Sequence, residues 1–337
     1  TAYLKAEESR VVTSEHLEQI LRASNLPEAL ELIQDTSIGS YLRQRTINKF
    51  DDFDASLWEY LQGHTEHLEG LRILPDEMHI ILKKYLAKYD VRNIKAALQG
   101  IAAQQKARMV PVGVICSRGL LDENVEEIES LIGGLRRCGL ERYGDILSEA
   151  KESALGDVKS RLLLECELDK AYYQDMLAAA KDLKEGHLLT KILGFIVDFL
   201  NLQMVLRSVA RGVSHEVMEY TLSGGYLLSG ETISELLSLK LPDIPGRLED
   251  TFYYQVGQDV LVNYEKTHSL TAIEEVIDKH KFQLLRDILM PRVMSSLLIV
   301  WYLILKEMEL RNLRLVGKSL LDNIPLDGAK SLLVAPS

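Results

Sequence analysis

Tyr89–Leu98 reads YDVRNIKAAL, Val197–Leu206 reads VDFLNLQMVL, and Met308–Gly317 reads MELRNLRLVG. Each stretch carries an acid, two spacers, an asparagine, then Ile or Leu, then Lys, Gln or Arg. The acids are Asp90, Asp198 and Glu309, and the asparagines are Asn93, Asn201 and Asn312. Among the eight asparagines of the chain, composition alone predicts about 0.04 such matches, so an internal repeat is the better explanation.

A second feature keeps the same register. An apolar–polar–acid helix start occurs at Val12 (VTSEHLEQIL), Leu120 (LLDENVEEIE) and Leu228 (LSGETISELL). The distance from start to asparagine is 81 residues (12 to 93), 81 (120 to 201) and 84 (228 to 312). Asp35-Thr36 also resembles Asp250-Thr251, with Glu141–Gly144 a looser match in the middle copy. The repeat therefore predicts three helical units, 1–105, 106–213 and 214–337, in a chain of 337 residues.

The chain is expected to be all-α. Its eight prolines leave the whole interval between Pro111 and Pro242 empty. Helices fill such an interval easily, because proline inside a helix costs about 3 kcal/mol. Each unit is expected to end on a long helix bearing the asparagine motif, the first near Asp76–Gly100 with Gly100 as its stop. Thr13 or Ser14, and Ser229 or Thr232, are the expected N-caps of the repeated starts. Lys106–Arg118 and Arg211–Tyr226 read as linkers, marked by Pro111, Gly113, Gly212, Gly224 and Gly225.

Hydrophobic residues form 47% of the chain, enough for a sizeable core, and the formal net charge is −11. That balance disfavours general nucleic-acid binding, which needs a basic face. Cys116, Cys138 and Cys166 are odd in number and widely spaced, which suits reduced thiols in a cytosolic setting. Residues 1–20 mix charges throughout and read as no secretory leader. The most apolar run, Leu297–Leu305 (LLIVWYLIL), has nine residues. A membrane span needs about 18 or more, so a buried core helix is expected there.

Asparagine is a mediocre helix former, so its recurrence in apolar helices needs a tertiary reason. An acid at i and an asparagine at i+3 share one helix face. The pair can pin a loop backbone to its helix, since buried polar groups must be satisfied. It can also face a shared axial opening and touch a partner. Arg92, Lys95, Arg207, Arg311, Arg314 and Lys318 lie on the same helices and read as solvated or ion-paired.

Several short matches to catalytic motifs lack their context. Gly317-Lys318-Ser319 ends like a phosphate-binding loop, but Asn312 stands where the first glycine belongs, and no strand precedes it. Leu222–Gly225 (LSGG) matches the signature of ABC-transporter ATPases over four residues and reads as a turn. His64 and His67 share a helix face without a third ligand nearby. Asp51, Asp52 and Asp54 suit a helix start. No catalytic, cofactor or metal residue is expected.

At the repeats the sequence resembles the C subunit family of V-type/A-type ATP synthases, relatives of the eukaryotic V-ATPase d subunit. The resemblance runs through Tyr3–Leu21, Asp35–Leu42 (DTSIGSYL), Tyr85–Leu98, Gly224–Leu237 and Lys306–Arg314. The family's first helix is more basic than Lys5–Val11 (KAEESRV) is here. The resemblance implies a funnel of three similar lobes with pseudo-threefold symmetry, cytoplasmic and peripheral to the membrane. Its implied partners are the proteolipid c-ring of the membrane sector and the D and F subunits of the central shaft. Its implied role is to pass torque between ring and shaft, without catalysis, for ion transport coupled to ATP synthesis or hydrolysis. Two other functions remain open on the residues alone: a helical-repeat scaffold for peptide partners, and an enzyme with a site between lobes.

Overall fold

Short polar side chains cap several of the helices. In the computed structural model, Thr13 Oγ1 accepts from His16 N at 3.3 Å, and His16 Nδ1 accepts from Thr13 N at 3.1 Å. This reciprocal cap opens α2 (Ser14–Ile20), which follows α1 (Ala2–Glu8). The Asn25 side chain accepts from Glu28 N to cap α3 (Leu26–Leu32), and Thr36 Oγ1 accepts from Gly39 N to cap α4 (Ser37–Leu42). Asp52 reaches back to the amides of Asn48 and Lys49 at the head of α5 (Phe50–Gly70), so the acidic cluster is a helix start.

The helix carrying the first asparagine motif is α6 (Asp76–Ala103). It runs past Gly100, contrary to expectation. The left-handed residue is Gln104 (φ 52°), and a Cβ on Gly100 would lie 2.8 Å from Gln105 O. Glycine is needed there for the return chain to pass closely, not to end the helix.

Beyond it come α7 (Val114–Ser117), α8 (Ile128–Arg137), α9 (Glu141–Glu149) and α10 (Val158–Ala180), the last capped by Asp157. The second motif lies on α11 (Gly186–Arg211), which ends on left-handed Gly212. After a 3₁₀ stretch at Ser214–Tyr220, Ser229 caps α12 (Gly230–Ser238). Short α13 (Ile244–Arg247) leads to α14 (Tyr253–Thr267) and α15 (Leu270–Leu289). The third motif lies on α16 (Leu298–Leu321). No strand occurs among the described residues, and the protein is all-α. Those residues are 2–117, 127–152, 156–324, 326, 330 and 332–334. The expected helix start at Leu120 lies outside them.

The chain forms two compact units: Thr1–Lys83 with Arg286–Ser337, and Lys84–Leu285. In the first, α16 is the core, packed by α5, α3 and α1. The run Leu297–Leu305 is buried throughout, as a core helix should be. In the second unit, α10 packs on α11, α8 on α9, and α11 on α12. Helix α11 is long and apolar enough to cross a membrane, with a mean hydropathy of 1.6 over its best window, yet 61% of that window is buried within the protein.

The asparagine motif is spaced as on any regular helix, so acid and amide emerge on one side of α6, α11 and α16 in turn. What they meet there defines the site.

Candidate functional site

All six motif residues are buried, Asn93, Asp198 and Asn201 completely. Each asparagine closes a two-way clamp on one backbone residue. Asn93 Nδ2 donates to Val110 O at 3.0 Å while Val110 N donates to Asn93 Oδ1 at 2.8 Å. Asn201 and Leu222 do the same at 2.9 Å in both directions. Asn312 and Val334 repeat it at 2.7 and 3.1 Å. The clamped residues stand evenly along the chain at 110, 222 and 334. An amide side chain presents a donor and an acceptor side by side, matching the N–H and C=O of one extended residue.

Each acid accepts backbone amides from another segment, one later in the sequence for Asp90 and Asp198 and one near residue 12 for Glu309. Asp90 Oδ1 accepts from Ile115 N at 2.9 Å. Asp198 accepts from three successive amides, Tyr226, Leu227 and Leu228, at 3.1, 2.7 and 3.2 Å, and from Tyr253 Oη at 2.9 Å. Glu309 Oε1 accepts from Val12 N at 2.8 Å. Leu228 and Val12 are the repeated helix starts of the third and first copies. Glycine makes room in two of the three places: a Cβ on Gly113 (φ 97°) would fall 2.5 Å from Asp90 Oδ1, and one on Gly225 would fall 2.1 Å from Asp198 Oδ1.

This geometry explains the LSGG stretch. Successive amides in such a turn form a nest that could hold a phosphate. Here the carboxylate of Asp198 fills it. Burial pushes the Asp198 carboxyl above the usual carboxylate range, while the three amides and the tyrosine hydroxyl pull it back. Burial, then the neighbouring Asp198, raises Tyr253.

The third copy balances its acid differently. Glu309 has one amide, and Lys306 supplies the rest. Its Nζ lies 3.0 Å from Glu309 Oε2 and 2.9 Å from Tyr60 Oη, with both charged side chains buried. Lys306 precedes its acid by three residues, where the other copies have Ala87 and Phe195. Tyr302 Oη meets His64 Nδ1 at 3.2 Å beside this pair. Burial and, secondarily, the Lys306 cation push His64 down to about 4. Burial raises the phenols of Tyr60 and Tyr302.

The remaining candidates disperse. His67 stacks near Tyr3 with ring centroids 5.6 Å apart, so the two histidines of α5 serve different partners. Among the described residues no three His, Cys, Asp or Glu side chains group as metal ligands. Gly317-Lys318-Ser319 lies inside α16, where a Cβ on Gly317 would fall 2.0 Å from the Phe53 ring. That glycine serves helix packing. Lys95, Arg314 and Lys318 pair with Asp169, Asp54 and Asp322 at 2.6, 2.9 and 2.8 Å. Arg207 pairs with Glu274, and Arg311 donates to Leu332 O at 3.1 Å. Cys138 is buried and Cys166 half-buried; the Cys116 side chain lies outside those described.

Sequence reading missed Lys306 with Tyr60 and Tyr302, and singled out His64 only for its helical spacing from His67. The signal was present in KEMELRN, where a lysine stands one turn before the acid. The clamped residues were less visible, since any residue supplies the same backbone groups.

Fold and site together define an all-helical protein whose repeated polar motif holds its own backbone at three places. The chain belongs to the ATP synthase (C/AC39) subunit family, whose model matches residues 1–331. It is similar to the C subunit of the A-type ATP synthase from Methanocaldococcus jannaschii, 28% identical over 99% of this chain and 85% of that one. The corresponding protein of Methanothermobacter thermautotrophicus is 24% identical over 89% of this chain and 80% of its own. That of Thermococcus onnurineus is 22% identical, covering 98% and 88%.

Proposed function

We propose that this protein is the central-stalk connector of a rotary A-type or V-type ATP synthase. It links the proteolipid ring to the D and F subunits of the shaft, transmits torque between them and carries out no catalysis. It sits at the cytoplasmic face, bound to the membrane through the ring. On this reading residues 1–105, 106–213 and 214–337 are three copies of one helical repeat. Asp90, Asn93, Asp198, Asn201, Glu309 and Asn312 act as internal pins that keep the lobes stiff.

The observation that supports this reading best is the clamp at Val110, Leu222 and Val334. A torque element must resist deformation between its ends. Buried, fully satisfied polar bonds fix one arrangement of packed helices where apolar contacts alone would allow slippage. Using them to fasten each motif helix to the segment after it stiffens the joints between helices. Such a device suits transmission of force better than turnover of a substrate.

The test is reconstitution. The purified chain should bind detergent-solubilised proteolipid rings and recruit a D–F shaft to them, and should hydrolyse no ATP alone. Saturable ATP hydrolysis by the isolated chain, or failure to retain either partner, rejects the connector reading.

A further inference from the structure

Two clefts in the second unit adjoin, and both are basic in a chain whose net charge is −11. The first has a volume of about 470 Å³, and Lys88, Arg207 and Arg211 are among its lining residues. The second, about 630 Å³, carries Arg92, Lys95, Lys106 and Arg108 and shares Lys88, Val91 and Asp169 with the first. The carboxylates lining the two clefts are Glu165 and Asp169. Asp169 pairs with Lys95, Arg207 pairs with Glu274, Lys88 lies over the Tyr85 ring, and Arg92 and Lys106 also have partners within the protein, so part of this charge is matched internally. Cations still outnumber carboxylates along the walls.

We propose that these clefts form one groove that docks an acidic, amphipathic helical segment of a partner protein. The spacing of the cations supports a helix as the occupant. Lys88, Arg92 and Lys95 follow one face of α6, a stripe about 10 Å long at a rise of about 1.5 Å per residue. Arg207 and Arg211 stand one turn apart on α11. A bound helix with carboxylates one turn apart can meet cations at that repeat. Val91, Leu200, Met204 and Leu222 give the first cleft an apolar lining. Methionine adapts its shape to an incoming side chain. Ala96 and Ala103 add little bulk to the wall of the second cleft. Nucleic acid and anionic membrane are weaker fits. Each presents an extended polyanion to an acidic protein, which long-range repulsion disfavours, and neither needs an aliphatic floor.

The groove lies within one unit and its chemistry does not depend on the rotary reading. The probe is a fluorescein-labelled helical peptide of about 20 residues, long enough to form a marginal helix in water, with Glu one turn apart and Leu on the adjoining face. Fluorescence anisotropy with the full chain at low salt should show saturable binding that weakens as salt is added. Arg92→Glu with Arg211→Glu, both at exposed positions, should weaken it at least tenfold. A peptide with Lys in place of Glu should prefer that double variant. Should the double variant unfold by circular dichroism, Arg211→Gln alone should still weaken binding severalfold. The proposal is overturned if the parent peptide does not bind, or if its Gln-for-Glu analogue binds equally. Equal binding by the variants overturns it too, as does tighter competition by an oligonucleotide or phosphatidylserine vesicles. A chain that binds the peptide but neither ring nor shaft refutes the connector reading and leaves the groove standing.

Discussion

Replacing Asn201 by alanine tests the clamp directly. The side chain is fully buried and makes two hydrogen bonds of 2.9 Å, both to Leu222. Alanine would strand one buried N–H and one buried C=O, each costing about 1–3 kcal/mol. Partial relaxation, or a water entering the space left, offsets some of that. A destabilisation of about 3 kcal/mol is expected. Urea unfolding at neutral pH measures it, with a lowered midpoint and an unchanged slope. The placement of aromatic probes supplies a control. Trp58 and Trp301 are the two tryptophans, and both belong to the unit formed by the N- and C-terminal parts of the chain. Tryptophan fluorescence therefore reports that unit, while far-UV circular dichroism reports both. Asn201→Ala should move the dichroism curve first, whereas Asn312→Ala should move the fluorescence. A shift below about 0.5 kcal/mol, the range of ordinary surface substitutions, would refute the claim that the amide satisfies Leu222.

Three further outcomes follow from the first unit. Gly317→Ala should destabilise by about 1–3 kcal/mol, because its methyl would overlap the Phe53 ring; Phe53→Leu in the same chain should recover part of the loss, and a neutral Gly317→Ala in thermal melts would disprove the packing role. Lys306→Met should cost about 3–5 kcal/mol by leaving Glu309 unpaired in the core, and adding Glu309→Gln should restore some of it in urea unfolding. His64 is held down to about 4 when folded, so the folded state stays neutral while the unfolded chain takes a proton below about 6.5. Stability should therefore fall as pH drops from about 6.5 towards 4, by about 2 kcal/mol at pH 4.5, and comparing pH profiles of wild type and His64→Gln isolates that share; parallel profiles would exclude it.

The class of fold was legible because proline and asparagine carry backbone consequences visible one residue at a time. The long gap between Pro111 and Pro242 holds helices, and Thr13 and Ser229 cap the starts at which they were expected. Gly100 misled, since glycine marks either a turn or a close approach, and only Gln105 coming back against it decides which. The acid and asparagine of each motif could be named from spacing, but their partners could not. Val110, Leu222 and Val334 contribute main-chain atoms, which leave no mark on composition. Lys306 was readable as a charge but not as a buried one, because burial depends on Tyr60 arriving from a helix more than 200 positions earlier. The basic groove was equally hidden. Its cations come from α6, α11 and the loop after α6, and they look ordinary until those segments adjoin.

Glu309 holding Val12, Trp301 Nε1 donating to Glu8 at 3.0 Å and Arg314 paired with Asp54 tie opposite ends of the polypeptide into one unit. A ribosome releases residues 1–83 well before residues 286–337. The earliest helices must therefore wait, with the apolar faces meant for α16 uncovered, while the middle of the chain is synthesised. Birth order and assembly order are reversed for this half of the molecule, and the waiting helices are where a chaperone would find its substrate.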